Sequence, residues 1–383
     1  MDLNYDLPSD RFVTPQAGLV SANDSVAEMF RDTLSNPVEY PGLDNFVFSG
    51  DSVAFVLLDE IHDSEICVQS MLECLLDLLD GCTVFIASPK ADILDETSRQ
   101  KWRQEFAAAN LQLNFEFHEP EDKNASAYIA VNIDGDPLYI NRVLFDCDVV
   151  VPVRRRVFGD RQPTSVFPIF SIAENRSRYK DLPIANQRSE VRLIHESLGI
   201  NFVVEVETNP GGDVVHVVAG QNDALQHQDE IESVSAWDIE QLTDGKVVVA
   251  TIESKDQTWE QFFDALIQSS YSTLNNEQIV IRSEIDQLPG SVERTILQLQ
   301  FESDQDSIER LLKDVPERYY CIPGILEDKS VFLKSNLDEN DIEELGLGWI
   351  ETDSQIQKII DHAETGVFLR DAHLCRILDV KTI

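Results

Sequence analysis

Basic residues are scarce. The 383-residue chain holds 30 Lys plus Arg against 70 Asp plus Glu, a formal charge of −40, which makes a polyanion such as nucleic acid an unsuitable partner. Long hydrophobic runs are missing as well. The apolar residues come in blocks of four to eight, far from the ~20 needed to cross a bilayer, so no helical membrane span is expected. The opening Met1 to Asp6 carries two acids and neither the basic nor the apolar stretch of a secretion signal, which points to the cytoplasm. Six cysteines (Cys67, Cys74, Cys82, Cys147, Cys321, Cys375) include no C-x-x-C pair, so neither a zinc site nor a disulfide framework is indicated. Asn209-Pro210-Gly211-Gly212 lacks a Gly-Lys-Ser/Thr ending and reads as a hairpin turn, not a phosphate loop. No local Ser-His-Asp or Cys-His signature supports nucleophilic catalysis.

The chain does contain enough apolar residues, 43%, to build a core in each of two or three domains. After a lead-in helix from Ser25 to Leu34, SVAFVLL (Ser52 to Leu58) reads as a buried strand, Glu65 to Leu79 as a helix and TVFIA (Thr83 to Ala87) as a second strand. A helix near 96–109 and strands at Leu111 to Phe117, Ala127 to Ile133 and Cys147 to Val153 follow. Helix Glu190 to Leu198 and a hairpin of Asn201 to Val206 with Val214 to Ala219 close this half. The second half opens with strand Lys246 to Ile252 and helix Trp259 to Ser269, then strand Gln278 to Arg282 and two helices near 291–300 and 305–314. Strands Arg318 to Cys321 and Ser330 to Lys334 and helix Asp353 to His362 complete it. Strand and helix alternating in this way predict an α/β fold of two Rossmann-like parallel-sheet domains, residues 1–235 and 236–383, with an interdomain cleft.

The order of these blocks resembles the nickel-pincer lactate racemases over nearly the whole chain. Ser35-Asn36-Pro37-Val38 precedes SVAFVLL and Leu58-Asp59-Glu60-Ile61-His62-Asp63, where that family has an Asn-Pro pair, a buried strand and an Asp-x-Thr-Arg-Pro loop. Gly135 to Arg142 followed by Asp146 to Val151 is the most specific stretch of similarity. Asn201 to Val206 with Val217 to Gly220, and Ser335 to Asp338 with the helix Ile356 to Ala363, continue it. The resemblance implies a racemase reaction on a 2-hydroxy acid. Two histidine bases, a lysine carrying the pincer and a further histidine on nickel would then be required.

The residues do not supply that set. Where the family places most of it, this chain runs from Arg154 to Pro168 with no histidine and no lysine, and no histidine occurs between His118 and His195. Ser88-Pro89-Lys90-Ala91 stands where the family has a Gly-x-His turn. No metal and no cofactor are therefore expected. Loops at the carboxyl ends of parallel strands bind ligands in open α/β folds. They supply Asp59 and His62 as candidate catalytic groups, and Lys90, Arg154, Arg155 and Arg156 as candidates for a carboxylate or phosphate. Trp259 is a candidate ligand contact from the second domain. The plain alternative for the arginines is ion pairing with the surplus acids, and for His62, His195, His216 and Trp259 a structural role. His118, among Glu116, Glu119 and Glu121, reads as part of a solvated acidic loop.

The leading expectation is a divergent lactate racemase-like protein without nickel-pincer chemistry that binds a small anionic ligand, a 2-hydroxy acid or a phosphate, in its cleft. An active racemase or epimerase with a shifted site is the second reading, and requires His62, His195 or His216 to converge on Lys90 or Lys180. A non-catalytic interaction protein, for instance a homodimer, is the third.

Overall fold

The computed structural model describes residues 5–14, 25–58, 64–89, 96–109, 111–156, 165–180, 182, 184–208, 214–226, 236–238, 245–253, 257–302, 304–312, 315, 319–374 and 376–378. They fall into two compact units, one of residues 25–208 and 214–226, the other of residues 5–14 and 236–378. Strand β1 (Phe12–Val13) belongs to the second unit.

In the first unit α1 (Val26–Ser35) and α2 (Leu43–Phe46) precede β2 (Ser52–Leu57), α3 (Ser64–Leu78), β3 (Thr83–Ser88), α4 (Glu96–Ala108) and β4 (Gln112–Phe117). A hairpin of β5 (Ser126–Val131) and β6 (Pro137–Asn141), then α5 (Arg142–Asp146), leads to β7 (Val149–Arg155). Helices α6 (Val166–Ile169), α7 (Ala173–Lys180) and α8 (Ile184–Leu198) precede the hairpin β8 (Phe202–Thr208) and β9 (Val214–Gln221), and α9 (Asn222–Gln226) follows. The main sheet has the order β4-β3-β2-β7-β8-β9 and is parallel except for β9, the returning arm of the hairpin.

Strand β2 shows why the sequence builds such a sheet. Its Val53, Phe55 and Leu57 point into one core with Met71 of α3 and Trp102 and Phe106 of α4, while Ala54 and Val56 point into the other with Leu144 and Phe170. A strand covered on both faces needs no polar alternation, so it reads as an unbroken apolar run. Each large aliphatic or aromatic side chain buried there contributes about 1.5–3 kcal/mol. Gly220 of β9 answers a steric demand, since a Cβ at that position would lie 2.3 Å from the Val38 carbonyl oxygen that crosses it.

The second unit contains β10 (Ala236–Asp238), β11 (Gly245–Thr251), α10 (Trp259–Ser270), β12 (Thr273–Arg282), α11 (Ser291–Gln298), α12 (Gln305–Leu312) and α13 (Ile322–Asp328). It continues with β13 (Ser330–Lys334), α14 (Glu339–Glu344), β14 (Gly348–Trp349), α15 (Asp353–His362), β15 (Gly366–Leu369) and β16 (Arg376–Leu378). The sheet β1-β15-β11-β12-β13-β14 is parallel throughout. Val248, Ala250 and Ile252 enter one core and Val247 and Val249 the other. The fold class is thus two α/β units built on parallel sheets.

Two differences from the sequence reading concern residues 5–14 and 318–321, and a third the strand expected at Ala127 to Ile133, which pairs antiparallel with β6 outside the main sheet. Residues 5–14, placed with residues up to 235, join the second unit instead: Phe12 pairs with Gly366, and its ring fills the space a Cβ at Gly366 would take, 2.3 Å away. Tyr5 Oη donates to Asp353 Oδ1 at 2.8 Å. A strand of two residues carries no legible alternation. The strand expected at Arg318 to Cys321 is also absent: Arg318 lies outside the described residues, and Tyr319 to Cys321 form a turn into α13. Tyr319 packs on the Phe263 ring at 5.2 Å, and Pro323 suits the first turn of the helix that follows.

No described helix is long and apolar enough to cross a membrane. Cys67, Cys74 and Cys82 are buried and form no disulfide, and burial pushes the Cys67 thiol up to about 12.

Candidate functional site

Both sheets have a point where successive connections diverge. In the first unit the chain leaves β2 for β3 and β4 on one side and later returns to β7 on the other, so the topological switch point, the place where open α/β sheets bind ligands, lies at the carboxyl ends of β2 and β7. Asp59 and His62 follow β2 and Lys90 follows β3, and all three lie outside the described residues. Arg154 and Arg155 end β7 and Arg156 comes directly after it.

The arginines divide by strand alternation. Arg154 and Arg156 share one face of the sheet, with Arg155 on the opposite side. Arg154 is 1% exposed and is in register with Glu205 on β8, which is 4% exposed. Its Nε and Nη2 both donate to Glu205 Oε1, at 2.9 and 2.6 Å, and Nη2 also donates to Asn222 Oδ1 at 3.0 Å. Arg156 and Glu207 are buried one step further along, with Arg156 Nη1 3.9 Å from Glu207 Oε2 and 3.3 Å from His216 Nδ1. Two arginines thus meet two glutamates, and the local formal charge nearly cancels. Sequence reasoning named the arginines and missed Glu205 and Glu207. The signal was the alternation in VVEVET, where Glu205 and Glu207 stand two residues apart and so share one face of an extended strand.

A second polar network lies past β4 on the same face. His118 Nε2 lies 2.9 Å from the Ser171 carbonyl oxygen, and Asn141 Nδ2 lies 3.4 Å from His118 Nδ1 and donates to Glu116 Oε1 at 2.9 Å. The pattern corresponds to a neutral ring with its proton on Nε2. Burial and the charge of Arg176 lower the His118 pKa to about 4. His118 is 4% exposed, a buried member of a network and not part of a solvated acidic loop, because Phe170 lies against its ring at 5.4 Å. His195 on α8 is also buried, with Nε2 2.7 Å from Ser165 Oγ, and His216 sits beside Arg156 and Glu207. Among the described residues no three His, Cys, Asp or Glu side chains are grouped to hold a metal ion.

In the second unit the divergence lies between β11 and β15. Asp371 follows β15 with φ +47° and accepts from the Glu253 backbone N–H at 2.8 Å, while Arg370 Nε and Nη2 donate to Glu253 Oε2 at 3.2 and 2.9 Å. These residues were not singled out from the sequence, because their spacing of more than a hundred residues leaves no local pattern. Trp259 is 5% exposed, its Nε1 donates to the Gln287 carbonyl at 2.8 Å, and its ring meets Phe262 edge-on at 5.2 Å. The tryptophan is a core residue of its own unit.

No family model matches the chain, and no curated protein matches it. Solved structures do. The lactate racemase apoprotein from Thermoanaerobacterium thermosaccharolyticum is 14% identical, with 98% of this chain and 97% of that one covered and a TM-score of 0.57. A Thermotoga maritima protein is 13% identical, with 94% and 100% covered and a TM-score of 0.53. The chain therefore has a lactate racemase-like fold over almost its whole length, as a divergent representative of it.

Proposed function

We propose that this chain uses its fold without nickel-pincer chemistry and binds a small anion, a 2-hydroxy acid or a phosphate-like molecule, at the carboxyl end of the first unit's sheet. The observation that carries the reading is the buried row of Arg154, Glu205, Arg156 and Glu207 at the carboxyl ends of β7 and β8, next to the switch point of β2 and β7. A buried ion pair is a poor source of stability compared with apolar packing of the same volume, so a double pair at the ligand end of a sheet is better explained as the wall of a polar site. The donor set for the pincer does not fit the residues present. The segment 154–168 offers no histidine or lysine, and His118 and His195 are engaged with Ser171, Asn141 and Ser165.

In this reading the two glutamates fix Arg154 and Arg156 as orienting groups, and Arg155 and Lys90 supply the charge for the ligand. Two measurements test it. Elemental analysis of purified protein is expected to find no stoichiometric nickel, and intact mass no adduct on lysine; both together would refute the absence of pincer chemistry. Thermal shifts with lactate, sugar acids and phosphate are expected to show stabilisation, about 2.7 kcal/mol at a hundredfold excess over Kd. Arg155→Ala and Lys90→Ala should weaken that response at least tenfold. No response to any of these anions would remove the ligand from the proposal.

A further inference from the structure

In a chain with 70 acids and 30 bases, buried or half-buried arginines find carboxylates readily. Arg154 holds Glu205, Arg178 holds Glu190 and Arg370 holds Glu253. Arg176, on α7 two residues before Arg178, differs from these three. Its Nε and Nη2 are buried and meet no hydrogen-bond acceptor among the described residues, and desolvation alone lowers its pKa. Leaving buried charged donors unpaired is costly, and such groups in a native structure call for a specific explanation.

Which atoms are left over indicates what is missing. Nε–H and Nη2–H point out of the same edge of the guanidinium, the edge that grips a carboxylate or phosphate side-on. Arg154 uses this very edge on Glu205. On Arg176 the same edge carries nothing from the described chain. Three groups of this region are engaged with other partners. Glu174 is bound to Lys123, Glu116 accepts from Asn141, and His118 has Ser171 O and Asn141 on its two ring nitrogens. Side chains on a helix lean back toward its N-terminus, and the first residue of α7, Ala173, donates its N–H to the Pro120 carbonyl at 3.0 Å. Arg176 is thereby directed toward the loop that follows β4, close enough for its charge to act on His118.

We infer that Arg176 anchors an oxyanion site beside His118, beyond the carboxyl end of β4, that takes a carboxylate or a phosphate from solution by its Nε/Nη2 edge. The inference does not rest on the switch point between β2 and β7, since it concerns the β4 edge of the sheet and a different arginine.

The test is an NMR titration of the full chain, in a buffer free of phosphate and carboxylates and at constant ionic strength, with inorganic phosphate in one arm and lactate in the other. At least one oxyanion is expected to shift the His118 imidazole resonances saturably. Arg176→Lys, which keeps the charge and loses the fork, should weaken binding at least tenfold, and Arg176→Gln should abolish it. Arg155→Ala should leave these His118 shifts as in the wild type, which separates this site from the switch point. Without ligand, Arg176→Gln should melt at or above the wild-type temperature, because a buried unpaired charge has been removed. The site is disproved if neither oxyanion moves His118, or if Arg176→Gln binds as the wild type does. A lower melting temperature of Arg176→Gln together with unchanged binding would show a structural cation instead; if that variant fails to fold, Arg176→Lys decides alone.

Discussion

Glu205 determines whether Arg154 is a stable part of the sheet or an isolated buried charge. With both side chains nearly sealed from solvent, Glu205→Gln should destabilise the first unit by about 3–5 kcal/mol, the usual effect of removing one partner from a buried pair. The double variant Arg154→Met/Glu205→Leu should stay within about 2 kcal/mol of the wild type, since apolar packing replaces both charges. Urea denaturation of the two variants distinguishes these outcomes, and equal losses would contradict the pairing. His118 gives a pH signature. Its pKa is held near 4 in the folded protein, below its ordinary 6.5, so between these values the unfolded chain binds a proton that the folded chain refuses. Its contribution is fully present above pH 6.5 and is lost as pH falls toward 4. Carboxylates titrate in the same range, so the measurement is the difference from His118→Asn, whose stability should fall less steeply between pH 6.5 and 4. An imidazole titration with a midpoint near 6.5 would contradict the burial of the ring.

Among the elements, the long ones were legible and the short ones were not. SVAFVLL, TVFIA and the 201–219 hairpin could be placed because a doubly covered strand is an apolar run and a hairpin is two such runs close together; the Asn209 to Gly212 segment read as its turn lies outside the described residues. Strand β15 is central in its sheet yet spans four residues, and β1 only two, too few for any period to show. Their importance comes from packing. Phe12 is 5% exposed and sits over Gly366, so Phe12→Ala should destabilise the second unit by roughly 3–5 kcal/mol. Hydrogen exchange should quicken in β11 and β15 and remain unchanged in β2 and β3. Equal acceleration in β2 would show that residues 5–14 do not belong to the second unit alone.

For the whole molecule the dominant quantity is the charge of −40. With 30 bases for 70 acids, most of the acids have no basic residue of their own to offset them, so mutual repulsion works against the compact state. Raising KCl from about 0.1 to 1 M shortens the screening length from ~10 to ~3 Å, and the melting temperature should rise over that range. A flat or falling melting temperature would mean that the acids are already neutralised in pairs.

The sequence by itself determined the alternation of strands and helices, the two arms of the 201–219 hairpin and the lack of any histidine between His118 and His195, because these depend on residue type and near spacing. The tertiary structure decided what each charged group does. Arg154 and Arg156 find Glu205 and Glu207 only when β7 and β8 lie side by side, Trp259 becomes core only against Phe262 with its indole N–H on the Gln287 carbonyl, and Arg176 stands out only through the burial of its Nε and Nη2 without an acceptor among the described residues. The physical reason is that burial and pairing are set by atoms distant in sequence, and no local period records them.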